Sequence, residues 1–454
     1  MSLDPMRWLW ATLTVGLWLA GTLWILWRAR RRPPAEATTG EILIAVASQT
    51  GFGDELATLT QGTLLAGGQP ARIVPFTDLD TPTLQSAGRV LFIASTTGEG
   101  DAPDTAAAFV RKVMGDTPDL SGLRYGLLAL GDRTYREYCA FGRALDGWLK
   151  TTGATPLFDR VEIDNGDPAA VTFWQAEVAA LPGVAPASTA APVIQLREAT
   201  PWRLVERRLM NPGSPGEGVW SLAFEPVDSA PHWVAGDIAE ITIPGPDGPA
   251  PDGPARRDYS IASLPADGRV ELLVRLMRHP DGTPGLGSGF LTQTLAPGDT
   301  VPLRIRPNRA FHAPEPRVPL ILIGNGTGIA GLRAHLKARA ATANPAPVWL
   351  VFGERTSAAD GFYADDLKAF QDQGVLTRLD RTFSRDPGDG RYVQSVITEA
   401  ADDLRRWIAD GAALYVCGSR DGMADGVRTA LETALGEIPC RDLIETGRYR
   451  QDVY

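Results

Sequence analysis

The chain has 454 residues, 44% hydrophobic and 22% charged, a globular composition with room for about three domains at ~150 residues each. Acidic side chains outnumber basic ones, 54 to 44, and the net charge of −10 argues against a nucleic-acid partner, which favours a basic face. The 3 cysteines, Cys139, Cys417 and Cys440, are too few and too scattered for a disulfide framework or a cysteine zinc site.

In chain order, the first feature is Trp8–Trp27, a run without a single charge. Twenty helical residues span roughly 30 Å, the thickness of a hydrocarbon core. Trp8 and Trp10 lie near one end and Trp24 and Trp27 near the other, as an aromatic belt requires, and Arg28, Arg30, Arg31 and Arg32 follow. The expectation is an uncleaved membrane anchor over 1–32, a single-pass protein whose catalytic domains face the cytoplasm. A short linker, 33–40, comes next.

The apolar run Glu41–Ala47 reads as a buried parallel strand, and similar runs recur at Val90–Ala94 and Tyr125–Leu130 with helix-length stretches between them. Strands alternating with helices imply a doubly wound α/β unit over 41–181. A Pro/Ala-rich tether lies in 182–200. From 201 to 315 the pattern changes to short strands with Gly/Pro turns, among them Gly236–Ile243, Val270–Met277 and Gly298–Ile305, as in an antiparallel barrel. A second α/β rhythm fills 316–454, with strands expected at Pro319–Ile323, Val348–Phe352 and Ala413–Cys417.

Loops that follow these strands carry phosphate-binding chemistry. Ser48-Gln49-Thr50-Gly51-Phe52-Gly53 joins a strand to a helix, so hydroxyls, backbone N–H groups and the helix N-terminus can hold a phosphate without a cation. A helix cap with a tight turn is the plainer alternative. Ser95-Thr96-Thr97-Gly98 and Leu130-Gly131-Asp132 follow the next two strands, and all three loops belong at the ligand-binding edge of one sheet. Tyr135 and Tyr138 offer an aromatic face there. In the last unit Gly324-Asn-Gly326-Thr327-Gly328 suits close approach of a pyrophosphate to backbone. Ser384 and Arg385 suit a 2′-phosphate, although a surface Ser-Arg pair is common. The four histidines are scattered, no metal cluster is expected, and no hydrolase motif occurs.

These loops, in this order, resemble the diflavin reductases, the family of NADPH–haemoprotein reductases and the sulfite reductase flavoprotein subunit. The resemblance covers 41–454. It implies a flavodoxin-like FMN domain, an antiparallel barrel holding FAD and a Rossmann-like NADP domain. By resemblance FMN contacts Ser48–Gly53, Ser95–Gly98, Leu130–Asp132, Tyr135, Tyr138, Cys139 and Asp164. Arg257-Asp258-Tyr259-Ser260 matches R-x-Y-S: Arg257 for the FAD pyrophosphate, Tyr259 stacked on the flavin, Ser260 near its N5. Leu273, Val274 and Arg275 occupy the strand that touches FAD, and Gly285-Leu286-Gly287-Ser288 resembles a second FAD phosphate loop. Gly326, Thr327, Ser384, Arg385, Tyr392 and Gln394 match NADPH contacts. Cys417 matches the cysteine beside the nicotinamide, and the ending Arg448–Tyr454 is that of the sulfite reductase flavoprotein, with Asp452 in the hydride-transfer cluster and Tyr454 over FAD. Ser260, Cys417 and Asp452 are the expected catalytic residues.

Four departures stand out. Thr97 replaces a flavin-stacking aromatic, His279 a tyrosine near FAD, and Gly390 a lysine near the 2′-phosphate. Only thirteen residues separate Ile243 from Arg257, where the family inserts a helical connecting domain. The function implied is transfer of electrons from NADPH to FAD to FMN to an outside one-electron acceptor, a haemoprotein or a metal complex near the membrane. A ferric-siderophore or quinone reductase and a non-catalytic flavin-binding redox sensor are the alternatives. Residues 41–180 carry eighteen acidic and ten basic side chains, so an acidic rim would steer a basic-faced acceptor; plain solubility explains it equally.

Overall fold

The structure is a computed structural model that describes residues 40–48, 51–97, 100–133, 136–164, 166–185, 199–228, 232–244 and 255–454. The apolar segment Trp8–Trp27 and most of both expected linkers lie outside the described residues. Among the described residues no helix is long and apolar enough to cross a membrane. The expected single-pass membrane localisation is corrected to that extent: it has no support among the described residues.

The first sheet is parallel, in the order β2 (Ala71–Pro75), β1 (Ile42–Ala47), β3 (Arg89–Ser95), β4 (Arg124–Gly131), β5 (Thr155–Pro156), with β6 (Val161–Asp164) also on β4. Its order reverses between β1 and β3, and the loops after those strands open at that reversal. All six residues of β1 are buried because helices cover both faces. Alternation splits them cleanly: Leu43, Ala45, Phe92 and Leu127 pack on one side, Ile44, Val46, Leu91 and Leu128 on the other. Helix α1 (Phe52–Ala66) leaves the β1 loop through Gly51, whose φ of +81° a side-chain-bearing residue rarely adopts.

The second sheet is antiparallel, in the order β10 (Ala255–Ser260), β9 (Ile238–Ile243), β12 (Thr300–Arg306), β7 (Thr200–Leu209), β8 (Val219–Pro226), β11 (Val270–Arg275). It curls until its edges meet, where the Ala262 N–H donates to the Glu271 carbonyl at 2.8 Å, giving the expected barrel. Ala255 pairs with Ile243 across β10 and β9. The stretch expected to have lost a connecting domain therefore joins two neighbouring strands.

The third sheet is parallel, in the order β15 (Leu376–Phe383), β14 (Val348–Glu354), β13 (Leu320–Asn325), β16 (Ala413–Gly418), β17 (Tyr449–Val453). Helix α2 (Ile329–Ala340) follows the glycine loop after β13. One apolar core runs from the barrel into this sheet, with Val219, Ala262, Leu273 and Phe311 packed among Leu322, Leu350, Phe352 and Tyr415. Arg333 of α2 stitches the same boundary, donating to the Ala262 carbonyl at 2.9 Å and to Glu271 at 2.6 Å. The first unit meets the other two through polar contacts instead. Arg304 reaches Glu55 at 2.8 Å, and Arg111 and Lys112 both pair with Glu445.

Candidate functional site

Two clefts lie back to back across strand β10. The first, of about 1150 Å³, opens at the strand-order reversal of the first sheet and is closed on its far side by the barrel and by β17. Phe52, Ser95, Thr96, Thr97, Leu130, Gly131, Asp132, Tyr138 and Cys139 all line it. Ser48 is buried behind them, where its Oγ accepts the Gly51 N–H at 3.1 Å and shapes the turn into α1. Gly53 lies in the first turn of that helix. The Thr96 N–H donates to the Leu130 carbonyl at 2.9 Å, while its Oγ1 is buried with no partner among the described residues. A phosphate or flavin polar atom fits that vacant hydroxyl. Asp164, opposite Gly131 in the β4–β6 pairing, accepts the Arg133 N–H at 2.9 Å rather than lining the cleft. Burial lifts the Cys139 thiol to about 11, so it is a neutral packing group. Gln49, Thr50, Gly98 and Tyr135 lie outside the described residues.

The second cleft, about 1040 Å³, separates the barrel from the third sheet. Arg257, Asp258, Tyr259, Ser260, Leu273, Val274, Arg275 and Gly285 to Ser288 form one wall, and Gly326, Thr327, Ser384, Arg385, Tyr392 and Gln394 form the other. Tyr454 stands at its mouth, 57% exposed, its hydroxyl 3.0 Å from Thr327 Oγ1. The Ser288 Oγ accepts the Met277 N–H at 3.0 Å, fixing the second glycine loop to the strand end. Gly328 lets the phosphate loop touch β16, since a Cβ there would stand 2.1 Å from the Cys417 carbonyl oxygen. The cradle suits a dinucleotide because its backbone, unscreened by side chains, faces the space.

The three expected catalytic residues meet between the clefts. Parallel pairing of β16 with β17 sets Asp452 opposite Cys417. The Ser260 hydroxyl donates to Asp452 Oδ2 at 2.6 Å, and Cys417 Sγ lies 3.9 Å from the same oxygen. Burial raises the Asp452 carboxyl above the ordinary aspartate range, against the Ser260 hydrogen bond that lowers it. Burial, then the charge of Asp452, holds the Cys417 thiol well above its usual value and therefore protonated. This arrangement can hold a proton and orient a hydroxyl beside a reacting ring, but it does not furnish a thiolate nucleophile.

Sequence reasoning missed cations that only folding brings here. Arg355 and Arg391 line the mouth beside Ser384 and Arg385, and Arg391 is held by Asp389 at 2.7 Å and Glu399 at 2.6 Å. Gly390, at the site of the absent lysine, adopts φ +63° with nothing within 4 Å of a Cβ position. Thr97 donates its N–H to Asp101 at 2.9 Å, and His279 lines the second cleft.

Comparison with known proteins agrees with this geometry. The flavodoxin family matches residues 44–174, and the oxidoreductase NAD-binding domain matches 322–429. Among curated relatives, the sulfite reductase [NADPH] flavoprotein alpha-component of Vibrio parahaemolyticus serotype O3:K6 is 28% identical over 96% of this chain and 92% of its own. The same component from Vibrio cholerae serotype O1 is 28% identical over 92% and 88%, and that from Escherichia coli O1:K1 is 28% identical over 96% and 94%. The chain is similar to the diflavin reductases along nearly its whole length. It is an NADPH-type oxidoreductase whose cofactors are FMN, FAD and NADPH. The Vibrio parahaemolyticus alignment runs to 575 positions, longer than the reductase's own 454 residues, so that relative carries segments this compact chain lacks.

Proposed function

We propose that this reductase passes electrons from NADPH by way of FAD and FMN to an outside one-electron acceptor, a haemoprotein. A sulfite-reducing haemoprotein is the first candidate, because the relatives are named as flavoprotein components of sulfite reductase. The observation that carries the reading is the Ser260–Asp452–Cys417 cluster, set in the wall between two clefts whose shared lining is Arg257 and Asp258. The cofactors supply the redox chemistry, namely hydride donation and its division into single electrons.

The chain supplies binding, orientation and electrostatics. In this proposal 41–181 binds FMN, 201–315 binds FAD and 316–454 binds NADPH. Arg257 and the Gly285–Ser288 backbone hold the FAD pyrophosphate, and Tyr259 covers one flavin face. Ser48, Thr96 and the loops after β3 and β4 hold FMN. Ser384 and Arg385 select the 2′-phosphate, with the Ser384 N–H anchored on the Glu354 carbonyl at 2.9 Å. Asp452 keeps the Ser260 hydroxyl aimed and can hold a proton at Oδ2, since its carboxyl titrates above the usual range. Cys417 fills the space beside it as a neutral thiol. Tyr454 covers the cleft mouth and must turn aside for the nicotinamide to enter.

Anaerobic titration with NADPH, followed by flavin absorbance, tests the proposal. Bleaching of two flavins per chain, followed by reoxidation with ferricyanide or a haem protein, is the expected result. A purified chain that carries both flavins and is not reduced by NADPH overturns it.

A further inference from the structure

The glycine loop Gly324–Gly331 contains no lysine or arginine, yet a partly buried cation stands over it. Arg275 ends β11 of the barrel and Glu354 ends β14 of the third sheet. The two side chains form an ion pair across the boundary, 17% and 4% exposed. Both reach Gly326: a Cβ built there would stand 3.4 Å from Arg275 Nη2 and 3.5 Å from Glu354 Oε1. The Glu354 carboxylate also accepts the Arg355 N–H at 2.7 Å, so it is fixed from two directions. Arg275 lies near enough to Tyr454 for its charge to act on the phenol. Its other terminal nitrogen, Nη1, is buried and has no hydrogen-bond partner among the described residues. A buried guanidinium N–H left unmade is costly, and the same cleft wall is where a pyrophosphate would approach the loop backbone.

We propose that Arg275 supplies the cation for the pyrophosphate of the nicotinamide coenzyme at the Gly326–Gly328 loop, with Glu354 as its positioning residue. This rests on the reading of NADPH as electron donor. It moves the Arg275 side chain from FAD, where the resemblance put its strand, to the other nucleotide. The loop offers backbone N–H groups and the Thr327 hydroxyl but no cation of its own, and the barrel lends it charge from across the boundary. Charge-assisted contacts of this kind are about twice as strong as neutral ones.

Equilibrium binding to the flavin-loaded chain tests it, with NADP⁺ and adenosine 2′-monophosphate as probes. Only the first carries a pyrophosphate. Arg275→Ala should weaken NADP⁺ at least tenfold, leave adenosine 2′-monophosphate within twofold, and retain FAD at one per chain. Because that variant strands Glu354, the double variant Arg275→Ala/Glu354→Gln is compared with Glu354→Gln and should show the same loss. Glu354→Gln alone keeps an oxygen for Arg275 and removes a charge that opposes the phosphate, so NADP⁺ should bind more tightly. Equal losses for both probes, or loss of FAD with NADP⁺ affinity intact, overturn the assignment. A wild-type chain that binds neither probe overturns the NADPH reading instead.

Discussion

At the scale of single residues, the cluster between the clefts makes sharp demands. Asp452 and Cys417 cluster around Ser260, and the glycine loop that Cys417 meets is Gly324–Gly331 of the third sheet rather than Gly285–Ser288, so their loss should slow reduction by NADPH without emptying the flavin sites. Stopped-flow traces of Cys417→Ala and Asp452→Asn should show slower flavin bleaching with both flavins still bound; unchanged rates would refute the role. Asp452 also predicts a pH effect. Its folded value lies above the unfolded one of about 3.9, because burial disfavours the carboxylate. The native chain therefore binds the extra proton, and the carboxylate's cost is absent below the unfolded value and grows as pH rises through the folded one. Asp452→Asn should accordingly melt higher than wild type at neutral pH, with the gap closing near pH 4; a gap constant with pH would count against it. Coenzyme choice is likewise a residue-scale matter. A charge-assisted contact is worth roughly 1.5–3 kcal/mol, so Arg385→Ala should raise the Michaelis constant for NADPH about tenfold or more and barely change that for NADH. Equal effects on both coenzymes would show that Arg385 does not meet the 2′-phosphate.

At the scale of elements, the C-terminal strand β17 is the partition between the two clefts. Gln451, Asp452 and Val453 line the first, while Tyr454 faces the second. Its backbone is pinned: the Tyr454 N–H donates to the Gly418 carbonyl at 3.1 Å, and the Tyr454 carbonyl accepts from Arg420 at 3.0 Å. Among the described residues the side chain is held by its hydroxyl alone, 3.0 Å from Thr327 Oγ1, so it can swing once that one contact breaks. On the proposed assignment, displacing the ring costs both coenzymes equally, while the Ser384 and Arg385 contacts to a 2′-phosphate would offset that cost for NADPH and not for NADH. Tyr454→Ala should therefore improve the specificity constant for NADH relative to NADPH, and an unchanged ratio would reduce the tyrosine to a packing residue. This strand was not legible as a strand, because Tyr-Arg-Gln-Asp-Val is neither an apolar run nor a clean alternation, and its place is set by β16. The strands β1, β3, β4, β13, β14 and β16 were legible because burial on both faces demands continuous apolar runs. The cofactor loops were legible for a similar reason, since glycines and hydroxyls at strand ends leave a local pattern. Arg275 with Glu354 and Arg333 with Glu271 left none, being pairs separated by long stretches of chain that only the fold joins.

At the scale of the whole molecule, the FMN-type unit is held by contacts of two unequal kinds. Arg111 and Lys112 meet Glu445 at the surface, 42% and 57% exposed, and such pairs contribute about 0–1 kcal/mol each and fade with salt. Arg304 is different: 5% exposed, it joins Glu55 of the first unit at 2.8 Å to Glu240 of the barrel at 2.7 Å. Burial already raises the Glu55 carboxyl, and the Arg304 charge opposes that rise. Removing Arg304 leaves two partly buried carboxylates facing each other with only the more distant Arg256 and Arg306, 3.8 and 3.9 Å from Glu240, to offset them, a loss of up to roughly 3–5 kcal/mol if the units stay docked. Separation relieves that repulsion, because Glu55 regains water when the first unit swings away. The Gly51 turn would part at the same point, since it rests directly against Pro307, with a Cβ position 2.0 Å from the Pro307 carbonyl oxygen. Arg304→Ala should therefore enlarge the radius of gyration in solution scattering and slow electron passage between the flavins. Reduction of FAD by NADPH should persist, because the barrel and third sheet share one core. Lys112→Ala should scatter as wild type does. Identical scattering and internal transfer in Arg304→Ala and wild type would show that docking rests on something other than this buried bridge.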